Sequence, residues 1–415
     1  SGRLFSADSP WNTTVEGLPV ASNSDRMLEL ATERRAAKEA PGREGVVTFT
    51  RQIVDQGLFI NSQVWAPLIV AANTEGSVAT RFVCRQSQCS SPDPKVPSTL
   101  TIPANTTPDP RYDGWLSVID RENGMGYDFW RARREGDGTI SYQFGKAWTL
   151  DGPGFSKPVG IDPERAVGAR GSGLPLFAGV IGPVELEQGQ INHALAISVP
   201  GIARRNFVQP ASVTDGVGNR RSLPAGARLR LRADVTVNER ALRSLRGQRR
   251  RSADAILTAL RTYGAIVVDR AAVPSLYAPL GTSPKILRGS ELSWLRLDDF
   301  EVNALPQIYK DPPLSKVGLE GPQTGGVNEQ VLRLLPEAVA RARSTYRLRQ
   351  ARPRSSGPSR PPGKRGPFAL PARPRVRSPR TWFAPTTPQV APPTSWSPSR
   401  ARTRPSRSSA PVRPT

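Results

Sequence analysis

Apolar residues recur along this chain at two spacings. Between residues 24 and 40 the spacing is helical: Ser24 stands where an N-cap belongs, Met27, Leu28, Leu30 and Ala31 follow, and Pro41 and Gly42 end the pattern. Short β-branched and aromatic runs then occupy 46–50, 53–54, 63–72, 78–83 and 99–102, with proline, glycine and asparagine between them as between the strands of a sheet. The clearest hairpin pairs 115–120 with 126–132 across Asn123-Gly124, a dipeptide that tolerates positive φ cheaply. On its second arm alternation puts Tyr127, Phe129 and Arg131 on one face and Asp128, Trp130 and Ala132 on the other.

Further on, residues 225–237 (AGARLRLRADVTV) alternate cleanly, with Arg228, Arg230 and Arg232 opposite Ala227, Leu229 and Leu231, the pattern of a half-buried strand with a cationic outer face. The six arginines within 240–251 read as a solvated loop. A second helix is capped by Ser252, carries Ile256, Leu257, Leu260 and Tyr263, and ends at Gly264. Residues 265–269 (AIVVD) read as a buried strand, and a short helix capped by Ser290 precedes a strand at 300–305. Few helices among many strands predict a mainly β fold, a β-sandwich or jelly-roll-like body with inserted helices.

Charge divides the chain. Residues 341–415 hold 18 Lys or Arg, 16 Pro and no Asp or Glu, so most of the net charge of +23 resides there and the rest is nearly balanced, with 40 bases against 35 acids. The expected organisation is a β-rich body over 1–316, a weakly helical linker over 317–340 and a disordered Arg/Pro/Ser-rich tail over 341–415, too poor in apolar residues to offset its ordering entropy. A balanced body gives no reason to expect nucleic acid as its partner. No apolar run reaches the roughly 18 residues of a membrane span. The two cysteines, Cys84 and Cys89, suit a small disulfide-closed loop, which fits an exported or cell-surface protein; the opening stretch without Met fits either a removed signal peptide or a fragment.

Candidate chemistry centres on 171–200, which holds the chain's one histidine. If a strand begins near Ile191, His193 shares a face with Ile191, Leu195, Ile197 and Val199, and on a concave face it would serve as a general base. Glu185 and Glu187, two apart, would share a strand face, close enough for one charge to lift the pKa of the other. Between 111 and 150 lie eight of the 27 aromatics, a wall fit either for a sandwich core or for stacking on sugars. The GARGSG segment at 168–173 lacks dinucleotide-loop spacing, no Gly-x-Ser-x-Gly elbow occurs, and one histidine cannot build a histidine-rich metal site. The acidic loops at 109–113 and 298–299 leave an oxygen-ligand Ca²⁺ site as the metal option; no other cofactor is indicated.

Gln190-Ile191-Asn192-His193 resembles the Gln-Ile/Val-His strand motif of alginate-lyase-like jelly rolls, with one extra residue, which would turn the imidazole to the opposite face. More broadly FSADSPWN, the DGW…YDFW hairpin, the HAL strand and the ALRTYG helix resemble uncharacterised secreted proteins of high-GC soil bacteria, which implies export and no activity. The resulting expectation is an exported polysaccharide lyase or glycoside hydrolase acting on an extracellular polymer, anionic or neutral. His193 would be its base, Tyr127 or Tyr142 its acid, Arg228 and Arg230 its anion-binding groups, Trp115 and Trp130 its stacking platforms, and Gln190 and Asn192 further substrate contacts. Glu185 with Asp113 or Asp128 is the hydrolase alternative. A non-catalytic glycan- or wall-binding protein is the other class.

Overall fold

The computed structural model describes residues 3–40, 43–85, 93–162 and 167–311, with side chains between 35 and 51 left out of the description. The linker expected at 317–340 and the tail at 341–415 lie outside the described residues. So does Cys89, and with it the expected disulfide to Cys84.

In chain order the elements are α1 (Ser24–Ala31), β1 (Glu33–Ala40), β2 (Arg43–Ile53), β3 (Phe59–Asn61), β4 (Leu68–Ala71), β5 (Ser77–Cys84), β6 (Thr99–Pro103), β7 (Leu116–Asp120), β8 (Met125–Trp130), β9 (Arg133–Arg134), β10 (Ile140–Tyr142) and β11 (Phe144–Thr149). They continue with α2 (Pro183–Gln188), β12 (Leu195–Val199), β13 (Asn206–Val208), β14 (Arg228–Leu231), α3 (Glu239–Leu242), α4 (Gly247–Thr262), β15 (Ala265–Arg270), β16 (Ser275–Tyr277), β17 (Phe300–Val302) and β18 (Ile308–Lys310). The fold is mainly β, as the alternation predicts, with four α-helices among the described residues and no sheet closed into a barrel.

Three sheets stack in layers. One has the order β6-β5-β10-β9, the next β11-β8-β7-β4, and the third β17-β14-β15-β12-β16-β3. The two faces of β8 show why. Tyr127 and Phe129 enter the core shared with Phe82, Leu100, Ile102 and Ile140 of the first sheet, whereas Trp130 joins Trp115, Ile119 and Trp148 against Ala196, Ile266, Val268 and Tyr277 of the third. The middle sheet is therefore apolar on both faces. The other face of the third sheet, through Leu195, Ile197, Val199 and Val267, packs on α1 and α4 in the largest core. Pairings β12/β15, β16/β3, β4/β7 and β10/β5 are parallel, an arrangement that the antiparallel strands of a jelly roll do not provide.

Local signals fail where their apolar stripe runs out. The helix expected over 24–40 stops at Ala31; beyond it only small alanines interrupt the charges, and 33–40 instead pair with 43–53 as a hairpin. The arginine-rich stretch at 240–251 is not a loop: it forms α3 and the first turn of α4, where Arg250 bridges Glu239 and Asp254 and Arg249 reaches Glu291. Ser252, expected as a cap, is buried inside α4, whose end at Gly264 is as predicted: φ is +68°, and a Cβ there would lie 2.2 Å from the Leu229 carbonyl oxygen. The segment after Ser290 is a turn followed by a 3₁₀ turn at Leu297–Asp299 rather than a helix.

Candidate active site

His193 precedes β12 instead of lying in it, and Glu185 and Glu187 sit on α2 rather than on a strand. The expected shared faces are thus not formed. Pro183 at the first helical turn and the left-handed Gly189 at its end favour the helix, and the Glu185 carboxylate accepts from Gly182 N at its start. Its oxygens also lie 3.2 Å from His193 Nε2, while Nδ1 is 2.9 Å from the Ala194 carbonyl. Burial works against the charged ring, but the Glu185 hydrogen bond and charge, helped by Ala194, outweigh it and raise the His193 pKa. Gln190 donates to Asn192 beside them, both exposed.

Because the folded chain holds this proton more tightly than the unfolded one, the pair's stabilisation is complete below the ordinary histidine range and fades as pH rises through the raised value. His193→Gln should cost roughly 0.5–1 kcal/mol at pH 6 and less at pH 9 in urea unfolding. An equal cost at both pH values would contradict the charged pair.

The other expected residues are parts of the framework. Tyr127 and Tyr142 are buried in the core between the first two sheets, where burial raises their pKa values, and neither contacts His193. Trp115 and Trp130 are likewise buried, not stacking platforms. Arg228 donates to the carbonyls of Thr13 and Tyr263, and burial lowers its pKa to about 10; Arg230 pairs with Glu301 and donates to the carbonyls of Val15 and Leu18. Both arginines hold the N-terminal segment to the sheet. Asp128 is sealed between sheets and accepts from Ser117 Oγ, Trp148 Nε1 and Leu176 N; burial raises it to about 6 despite these donors. Asp113 ends a 3₁₀ turn with φ +64° and is half-buried; burial raises its pKa, against the Arg131 charge and a hydrogen bond with the Trp130 side chain. Of the acidic loops, Asp109 is engaged by Arg111 and Asp299 accepts from Arg296 N; among the described residues no group of three or more His, Cys, Asp or Glu is set to hold a metal ion. Nor, among those residues, is any helix long and apolar enough to cross a membrane.

A different cluster lies where 168–173 passes between the second and third sheets. Ser172 N donates to Val268 O, and Ser212 N to Ser172 O, stitching this loop to β15 and to the segment after β13. Arg170, fully buried, donates to Asp269 at 2.8 Å and to the carbonyls of Pro175 and Leu176, with its guanidinium 4.6 Å from the Tyr277 ring centroid and 5.4 Å from that of Trp115. A register shift after Ile197 lets β15 carry one extra residue, and such a bulge re-aims the side chain that follows, here Asp269. Asp269 also accepts from Gly171 N at 2.5 Å. A Cβ on Gly171 would lie 2.3 Å from Cγ of Asp215, so any larger residue there would displace that carboxylate.

Asp215 neighbours two further carboxyls, Asp269 and Asp311. Asp269 is raised to about 7, chiefly by burial, with Arg170 opposing and Asp215 adding to the rise. Asp215 is paired through Oδ2 with Arg270 at 3.2 Å, while its Oδ1 is shielded from solvent and has no hydrogen-bond partner. Asp311, directly after β18, accepts from Thr214 N at 3.3 Å and also has an unpartnered, shielded Oδ1. Burial raises it to about 7, against Thr214 N and Arg205 and with the Asp215 charge. The side chains of Asp215 and Arg270 are 23% and 30% exposed, so the cluster reaches the surface while Arg170 behind it does not.

No protein-family model, curated protein or solved structure matches this chain. Its chemistry is accordingly read from the site. Asp215, Asp269 and Asp311 escape a search for histidines and paired glutamates because they come from separate segments, VTDG, IVVDR and YKDP. The available signal was an acid ending the apolar strand AIVVD, where a carboxylate must find partners or hold a proton.

Proposed function

We propose that this chain is an exported carbohydrate-active hydrolase, built on a layered β-sandwich scaffold, that cleaves glycosidic bonds of an extracellular polysaccharide with Asp311 as general acid and Asp215 as base or nucleophile. The observation that carries this reading is the pair of neighbouring carboxyls, each with an unpartnered oxygen, one of them raised to about 7. Glycosidic hydrolysis requires two carboxyls in opposite protonation states, one to protonate the leaving oxygen and one to activate water or attack the sugar. Burial and the Asp215 charge favour the proton on Asp311, while Asp215 is ion-paired with Arg270. Asp269 has no free role, because Arg170 and Gly171 occupy its oxygens; it positions the loop against which Asp215 packs.

The lyase version has less behind it: a base and a phenolic acid would have to share a cleft, and His193 and the two tyrosines lie on different elements with different neighbours. Incubating the purified chain with neutral and uronate polysaccharides tests the reading. Release of reducing ends without a rise in ultraviolet absorbance from unsaturated sugars is expected. Unsaturated products would replace hydrolase by lyase, and no product across the panel would count against an enzyme.

A further inference from the structure

At the edge of the middle sheet, away from the carboxyl cluster in sequence, three non-glycine residues hold left-handed backbone: Trp65 at φ +52°, Asp113 at +64° and Arg131 at +52°. For residues with a Cβ this conformation is costly and persists only where the surroundings enforce it. They are neighbours. Arg131 N donates to the Asp113 carbonyl at 2.8 Å, and the Trp65 ring meets Tyr112, next to Asp113, edge to face at 5.6 Å and 69°. The loop bearing Trp65 is tied down on both sides, with Leu68 N on Trp115 O, Leu280 N on Pro67 O and Gly281 N on Ser62 O. Yet the Trp65 side chain is turned outward, 46% exposed, among the most exposed of the large hydrophobic residues described.

A rigid loop that spends backbone strain to keep an indole in water is poorly explained by packing, which would bury it. Beside the rings stand the half-buried carboxyl of Asp113, already hydrogen-bonded to the Trp130 side chain, and two guanidiniums. Arg111 lies 5.5 Å from the Tyr112 centroid, held by Asp109; Arg131 lies 4.5 Å from the Trp130 centroid, held by Gln143. An apolar plane with a perpendicular wall and flanking carboxylate and guanidinium matches a pyranose, whose face offers C–H bonds and whose rim offers hydroxyls able to donate and accept. We propose that Trp65, Tyr112, Asp113 and Arg131 form a sugar-binding subsite that stacks a pyranose unit of a polysaccharide on Trp65. The subsite rests on its own residues and stands whether or not Asp215 and Asp311 hydrolyse a bond.

The test is electrophoresis of the full chain through native gels containing a neutral glucan, xylan, alginate or pectate, run in enough salt to screen the basic residues, with tryptophan fluorescence titration by the matching oligosaccharides. Retardation by at least one polymer is expected. Trp65→Ala and, separately, Tyr112→Ala should weaken that binding at least tenfold, and Trp65→Tyr should keep most of it. A neutral polymer retarding the chain would assign recognition to the ring face and hydroxyls; retardation by uronates alone, still lost in Trp65→Ala, would add a sugar carboxylate on Arg131. Trp65→Ala bound as tightly as the unaltered chain, or a folded chain retarded by none of the polymers, would overturn the proposal. Equal unfolding midpoints for the variants separate lost binding from lost fold, and loss of binding with hydrolysis retained, or the reverse, distinguishes this subsite from the carboxyl pair.

Discussion

Arg170→Met should destabilise the protein by about 3–5 kcal/mol, the cost of leaving a buried charge or its proton-bearing substitute without its partner. Arg170 has no exposed surface and supplies the charge facing Asp269, and its remaining donors bind the Pro175 and Leu176 carbonyls, so a methionine, shorter and without a donor, would orphan three acceptors at once. Its guanidinium also lies against Trp115 of the middle sheet and Tyr277 of the third, so the change strikes the junction of two layers. Urea unfolding near pH 7 measures the loss. Asp269→Asn in the Arg170→Met background should recover part of it, because the uncompensated carboxyl is then gone, and the recovery reports the coupling between the two groups. A loss below about 1 kcal/mol would show that the junction is held by apolar packing instead.

The same junction shows what could be read from the chain and what could not. Alternation along 126–132 placed Tyr127 and Phe129 opposite Trp130 correctly, because side chains on a strand must alternate and both faces of β8 are covered. The half-buried strand of Arg228 and Arg230 was legible for the same reason, but the destination of those arginines was not: alternation says which way a side chain points and nothing about the Thr13, Val15 and Leu18 carbonyls waiting there. His193 and Glu185 were recognised as chemically capable and they do meet, through a helix and turn instead of a shared strand face. The carboxyl cluster was invisible because its members are 54 and 42 positions apart along the chain, from Asp215 to Asp269 and from Asp269 to Asp311, brought together by the bulge in β15 and by the pairing of β13 with β18. Trp65 was read into an apolar run at 63–72 that suggested a buried strand; β4 begins only at Leu68, and no local pattern announces that an indole before it is turned outward.

Asp311→Asn should lower the rate on unactivated polysaccharide by about 10²–10⁴-fold, the range that positioned proton transfer contributes. The acid must carry its proton to act, and with a pKa of about 7 it loses that proton as pH rises through neutrality, so activity should fall on the alkaline side of pH 7. The fold carries the matching signature. A carboxyl raised from its unfolded value near 4 makes its contribution to stability in full below that value and surrenders it as pH rises through 7, so the alkaline limb of the activity and the loss of stability share one direction. Asp215→Asn should be at least as damaging to turnover, and the two can be told apart by the leaving group. A substrate with a nitrophenyl leaving group needs little protonation, so Asp311→Asn should regain much of its rate on it, whereas Asp215→Asn, lacking the group that attacks or activates water, should not. If both variants recover alike, or if the alkaline limb survives in Asp311→Asn, the acid is not Asp311; Asp269, raised to about 7 by its own burial, would then be the carboxyl to test next, with Arg170 and Gly171 N as the donors it would have to release.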